Sequence, residues 1–298
     1  MIDGVVLQNI LSYGPVFLLI AVRAFAMIQT APLLGSDAIP MVAKFALAGF
    51  AAFAVLPTAQ VFTPQAHGLT GVSGVGAVIF PGSEGLLSDL RFESLNFSFA
   101  LLLIGEAIIG IIIGFFITII FAAFATAGQF FSLQMGFGAS ETFDPLAQVE
   151  NPLMGQYLNL VSMLVFLVIG GMRDLFLGGF WRSVQSINIF LLIEGRDPVI
   201  TMIVSGLSRL FLDAIVIAMP ILGTLFLTSL STGLISKAAP QINILSEGFP
   251  ISITTAFILI FATLPFMTEA FARVIDSGFA SIQNLYTQIG LQIEGGRL

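Results

Sequence analysis

From Phe97 to Phe131 the chain runs for 35 residues with almost no polar side chain, FSFALLLIGEAIIGIIIGFFITIIFAAFATAGQFF. As one helix rising ~1.5 Å per residue it would be about 52 Å long, whereas the hydrocarbon core of a bilayer is about 30 Å thick. A simple upright span is therefore ruled out. The segment must tilt steeply, break near Gly105, Gly110, Gly114 or Gly128, or leave the lipid for a protein-lined environment. Glu106 and Gln129 lie within it and Gln134 follows it. Each polar group in hydrocarbon must find a partner or cost free energy, so a helix serving only as an anchor would not carry them. Beyond it comes a glycine-rich, acidic bend, LQMGFGASETFDPLAQVENP, ending at Pro152.

Composition places the whole chain in the same class. Of 298 residues, 57% are hydrophobic and only 9% charged, too few charges to solvate a globule of this size, so the chain is read as an integral membrane protein. Seventeen acids oppose ten bases, for a net charge of −7, and no basic run offers a nucleic-acid surface. No cysteine is present and His67 is the sole histidine, which excludes disulfides, cysteine-ligated clusters and most zinc sites. No cofactor or metal is expected. The start, MIDGVVLQNILSYGP, lacks the basic flank and small-residue cleavage site of a secretory signal, so the first apolar segment is expected to persist.

Six apolar segments follow one another. The first, Val5 to Leu34, is interrupted by Pro15 and Arg23 and ends in a turn at residues 34–40; the second, Met41 to Leu56, is alanine-rich and begins near Lys44. Such a density of small residues suits close helix contact. Residues 57–96 form the only long polar loop, with glycines at 68, 71, 74, 76, 82 and 85. Its GVSGVG lacks the Lys-Ser/Thr and the strand-to-helix setting of a phosphate loop, and His67 within it reads as a solvated side chain. After the Phe97 segment come Leu153 to Gly171, a mixed stretch around Arg173, Asp174, Trp181 and Arg182 that reads as an interfacial helix, and a turn at Glu194 to Pro198. The fifth segment, Ile200 to Ile235, is again overlong, and its Arg209 and Asp213 stand four apart, close enough to pair. The sixth, Ile251 to Ile275, is expected to be kinked by Pro265 and carries Glu269. The division expected is an N-terminal hairpin (1–56), a Gly/Pro-rich loop (57–96), a central hairpin with its bend and interfacial helix (97–199), and a C-terminal hairpin and tail (200–298).

For six simple spans with the N-terminus inside, the inner connectors and tail hold Arg91, Arg173, Arg182, Arg196, Arg273 and Arg297, and the outer ones Lys44 and Lys237. That count favours both termini on the cytoplasmic side. The small-residue step at Gly110 and Gly114 is read first as helix packing and second as a hinge. Glu106, Gln129, Arg209, Asp213 and Glu269 are candidate intramembrane polar contacts. Enzymatic readings fail for want of a Ser-His-Asp order, an HExxH or a cysteine nucleophile; Glu141 and Asp144 read as a turn and cap rather than a carboxylate dyad.

Four blocks in order give the chain a family resemblance: Arg23 with QTAPLL (Gln29 to Leu34) and AIP (Ala38 to Pro40); GEAIIGIIIGF (Gly105 to Phe115) with AGQFFSLQMG (Ala127 to Gly136); Asp144-Pro145; and AMPILGTLFLTSLSTGLISKAAPQINI (Ala218 to Ile244) with GFPI (Gly248 to Ile251). Together they resemble the flagellar biosynthetic protein FliR family and its injectisome relatives, over Leu11 to Ala270. The resemblance implies an all-α membrane protein of about six long apolar helices, bent and hairpin-paired. It would sit in a helical hetero-oligomeric pore rather than a simple bundle, and would serve as a channel subunit of the type III export gate in the bacterial inner membrane at the flagellar basal body. Implied partners are FliP-like and FliQ-like membrane subunits, an FlhB-like export switch protein, and exported unfolded proteins as substrate. The family's pore plug carries over onto Gln134, Met135, Gly136, Phe137, Gly138 and Phe143, with bulky groups to fill a narrow channel and glycines to let the loop swing aside. Relatives have a more aromatic middle where this chain has Ala139, Ser140 and Glu141. The alternatives are an injectisome paralogue and, in a different class, a proton- or cation-coupled transporter using Glu106, Asp213 and Glu269; no convincing inverted repeat supports the latter.

Overall fold

The computed structural model of the chain describes residues 4–61, 97–136, 153–187, 196–238 and 244–295. Among these residues regular structure is entirely helical. In chain order the elements are α1 (Gly4–Thr30), α2 (Met41–Val61), α3 (Phe97–Met135), α4 (Leu153–Val168), α5 (Gly171–Arg173), a π-helical segment (Asp174–Trp181), α6 (Arg182–Ser186), α7 (Arg196–Ala238) and α8 (Ile244–Gly295). Among the described residues three helices are long and apolar enough to cross a membrane, or four if the broken pair Leu153–Val168 and Gly171–Ser186 counts as one span. Two shorter apolar stretches, Gly14–Thr30 and Met41–Leu56, bring the apolar segments to six, of which three are long.

The overlong segment does not break. α3 is one helix of 39 residues, about 58 Å in length, and it passes through Gly105, Gly110, Gly114 and Gly128 because small residues in a helix need only a neighbour close enough to stabilise it. α7 likewise runs 43 residues through Pro220, with Pro198 in its first turn, where a missing N–H is tolerated. α8 extends for 52 residues through Pro250 and Pro265. It therefore takes in residues 244–250, ahead of the expected start at Ile251, and residues 277–295 beyond Asp276. α2 also continues past the expected boundary at Leu56, through Pro57 to Val61. Between α4 and α5 the chain does break, at Gly170, whose φ of +82° belongs to the left-handed region that favours glycine.

The chain falls into two compact units, one of Met1–Thr118, Met172–Val204 and Phe279–Leu298 and the other of Ile119–Gly171 and Ser205–Gly278, so α3, α7 and α8 each contribute residues to both. In the first unit α1 packs on α2 as a hairpin, and Leu19, Ile20, Met27 and Ile28 of α1 are buried, as are Ile109, Ile113 and Ile117 of α3. The Phe25 and Phe45 rings stack at 4.3 Å between centroids. The turn joining α1 to α2 holds Leu33 at φ 72° and is closed by Lys44, whose ammonium donates to Gln29 Oε1 at 3.2 Å and Gly35 O at 2.9 Å. A cation just past the last turn of α1 is favourably placed against the carbonyl end of that helix.

In the second unit the core is aromatic and aliphatic. Phe121 meets Phe124 edge-on at 6.0 Å and Phe166 at 5.4 Å, and Phe124 meets Phe271 at 4.5 Å. These contacts tie α3 to α4 and α8 with no ionic group among them.

Candidate functional site

The most heavily partnered polar cluster lies in the first unit. Arg23 projects from α1 and Glu106 from α3, and their side chains are each 1% exposed. Arg23 Nε donates to Glu106 Oε2 at 2.5 Å. The guanidinium reaches further: Nη2 donates to the backbone oxygen of Ile187 at 2.9 Å, and Nη1 makes a long contact to Ser183 Oγ at 3.4 Å. Ser183 in turn donates to Phe180 O at 2.6 Å, and the Tyr286 hydroxyl of α8 donates to Gly179 O at 2.6 Å. One arginine thus joins α1 and α3 to the end of the α5–α6 segment, and a tyrosine joins α8 to its π-helical part. Charge-assisted bonds of this kind are the strong ones, and a buried ion pair needs them to offset its desolvation.

Close backbone approach makes this geometry possible. A Cβ added at Gly110 would fall on the Arg23 carbonyl oxygen and lie 2.9 Å from Ala26 Cβ; one added at Gly114 would fall on Thr30 Oγ1 and lie 2.7 Å from Met27 O. The GIIIG step therefore lets α3 lie directly against α1. Thr118 Oγ1 extends the same seam by donating to Thr30 O at 2.7 Å. Arg23 and Glu106 are both legible in the sequence as charges within apolar runs. Their pairing across 83 positions is not, because nothing local links them.

The other polar candidates are more open. Arg209 donates from its guanidinium to Ser277 Oγ of α8 at 2.6 Å, a neighbour that helix periodicity alone does not reveal. Glu269 lies beside an exposed partner four residues on, Arg273, at 3.6 Å, at the edge of an apolar groove lined by Tyr157, Leu164, Val168 and Leu264. Gln129 is exposed on α3. Among the described residues no group of three His, Asp or Glu side chains is arranged to hold a metal ion.

Of the residues assigned to the bend, Gln134, Met135 and Gly136 are described and Phe137, Gly138 and Phe143 lie outside the described residues. Met135 is fully buried, and Gly136, at φ +92°, ends α3 with its Cα against the Phe249 ring, where a Cβ would overlap the ring carbons. Gly136 thus combines a backbone conformation and a contact that both require glycine. Gly128 is held as tightly, with Gly155 of α4 in the space a side chain would need.

Long apolar helices around a fully buried ion pair define a helical membrane protein whose polar groups serve helix contacts. The family is shown by comparison: residues 15–278 match the model of the bacterial export proteins, family 1, and the chain belongs to that family. It is 25% identical to the flagellar biosynthetic protein FliR of Bacillus subtilis over 96% of this chain and 100% of that one. It is 26% identical to the FliR of Escherichia coli over 90% and 89% of the two chains. The surface presentation of antigens protein SpaR of Shigella flexneri is 30% identical over 62% of this chain and 72% of its own.

Proposed function

We propose that this chain is a structural channel subunit of the flagellar type III protein export gate, completing a closed pore through which unfolded flagellar proteins leave across the inner membrane. The observation that carries this reading is the mismatch between helix length and apolar cover in α7 and α8. In their most apolar windows only 28% and 17% of residues are buried, against 61% in α3. Large side chains such as Phe211, Phe226, Leu234, Phe261 and Phe266 are exposed along them. At about 64 Å, α7 is twice the thickness of a hydrocarbon core, so lipid can cover only part of this surface. The remainder calls for protein, which is what a hetero-oligomeric assembly supplies. The proposed neighbours are FliP-like and FliQ-like membrane subunits and an FlhB-like switch protein, and the proposed place is the flagellar basal body. The flagellar member is favoured over an injectisome paralogue because the FliR similarity extends over nearly the whole chain.

In this reading the chain performs no catalysis; its substrate is protein and the energy comes from elsewhere in the apparatus. Residues 134–143 act as the plug: the buried Met135 anchors it, and Phe137 and Phe143 fill the channel on the freedom given by Gly136 and Gly138. A cation-coupled transporter is disfavoured because Glu106 is held by Arg23, and Glu269 lies on an exposed surface beside Arg273.

The test is the native mass of the tagged chain in mild detergent, alone and co-expressed with FliP-like and FliQ-like partners. One copy recovered in a large complex with several copies of each is the expected result. A stable, monodisperse chain indifferent to those partners would overturn the proposal. Phe137→Ala with Phe143→Ala should make the assembled complex leak small ions, and unchanged conductance would remove the plug assignment.

A further inference from the structure

The segment Asp174–Ile187 is held in an unusual conformation by side chains from elsewhere in the first unit. Asp174–Trp181 is π-helical for eight residues, longer than the single-turn bulges that are the usual form. The N–H of Arg182 is shared between Gly179 O and Leu177 O, the crowded pattern of a helix changing its hydrogen-bond step. Three carbonyls of this region take side-chain donors: Gly179 O from Tyr286, Phe180 O from Ser183 and Ile187 O from Arg23. Two of those donors come from other helices, α8 and α1.

We propose that Arg23 and Tyr286 are positioning residues that select the π-helical register of this segment over the α-helical one, with Glu106 holding Arg23 in place for the task. A tighter α-helical step would turn the residues that follow about the helix axis and carry the Ile187 carbonyl away from Arg23. The pair is poorly suited to a purely stabilising role, since an apolar pair of similar volume is often as stable as a buried ion pair. Its second carboxylate oxygen, Glu106 Oε1, and the indole nitrogen of Trp181 on the segment itself are both buried without a partner. A core refined for stability alone would leave neither. What the pair does supply is direction: a guanidinium fixed on one side by a carboxylate presents its remaining N–H groups to one carbonyl position and no other. This inference concerns the conformation of the chain and stands independently of the export reading.

The composition provides two reporters. Trp181 is the only tryptophan and the chain has no cysteine, so intrinsic fluorescence reads the segment, and Val184→Cys places a single thiol at a buried position of it. Tyr286→Phe removes one hydroxyl with no change of ring volume, and Arg23→Leu combined with Glu106→Leu removes the ion pair without leaving a lone charge. In the full-length chain in detergent, each should raise maleimide labelling of Val184→Cys roughly fivefold, the population change expected for the loss of one buried hydrogen bond. Each should also move the Trp181 emission maximum and its acrylamide quenching, while helical content and elution volume stay as in the parent. Arg23→Lys, which keeps the charge and loses the fork, should behave like the double variant in both readouts. Labelling and fluorescence unchanged in Tyr286→Phe overturn the register role of Tyr286, and unchanged values in a folded Arg23→Lys overturn that of Arg23. If the double variant fails to fold, those two single variants decide.

Discussion

The two units solve the same problem, joining helices that are apolar all round, by opposite means. In the first, α1 and α3 meet through glycines and a buried ion pair, Arg23 to Glu106, that also reaches Ile187. In the second, α3 meets α4 and α8 through Phe121, Phe124, Phe166 and Phe271, with Gly128 against Gly155. An aromatic cluster loses only part of its attraction in a small shift, because that attraction is spread over many atom pairs. An ion pair at 1% exposure does not, because a charge parted from its partner there keeps only neutral hydrogen-bond acceptors to offset its desolvation. The same helix, α3, therefore runs from a seam fixed by a charge pair into a seam fixed by ring packing and by the close approach of Gly128 to Gly155.

The sharpest way to break that comparison is to leave one charge alone. Glu106→Leu strands Arg23 in the first unit and should cost about 3–5 kcal/mol, seen as a collapse in yield and in the thermal midpoint in detergent. Phe124→Leu in the second unit keeps an apolar group of lesser volume and should cost about 1–2 kcal/mol. Equal losses would mean that the polar seam is no more exacting than the aromatic one.

Substitution at the glycines sharpens the contrast within each seam. Gly110→Ala and Gly128→Ala both push a methyl group into backbone, at Arg23 and at Met154 and Gly155 respectively, and should each cost about 1–3 kcal/mol. Gly278→Ala meets the Ile120 side chain, Cδ1 and Cγ1, rather than backbone, and should cost less than either because a side chain can turn aside where backbone cannot. Thermal midpoints of the three variants compared in one detergent would check the order, and a Gly278→Ala as damaging as Gly110→Ala would show that Ile120 has no room to move.

Much of this was legible before any coordinates. The helical class and the overlong segments follow from apolar runs that exceed any membrane, and the charges at Arg23, Glu106 and Glu269 stand out within them. The continuity of α3 did not follow, since glycines signal a break when read along the chain and a close neighbour when read across it; Gly110 and Gly114 face α1. The extent of α8 was also hidden. Pro250 and Pro265 read as punctuation, yet a proline removes only one N–H, and a 52-residue helix retains enough of its other bonds to continue. The hold of Tyr286 on Gly179 leaves no trace in local pattern, because the two residues stand 107 positions apart.

The smallest expected effect concerns the surface that neither seam uses. Phe261 of α8 is 82% exposed and Phe266 71% exposed, so in the isolated chain they contribute almost nothing to packing. Phe261→Ser and Phe266→Ser should leave the thermal midpoint of the chain alone within about 0.5 kcal/mol, as exposed positions usually do. Should the proposed partners cover this face, the same substitutions would reduce recovery of the assembled complex, because each removes roughly 2–3 kcal/mol of apolar burial from the contact. A fall in complex yield with an unchanged monomer would place these residues between subunits. An unchanged complex would place them in lipid, where a single serine hydroxyl bonded back to its own helix costs little, and the search for the covered face would move along α7 to Phe211 and Phe226.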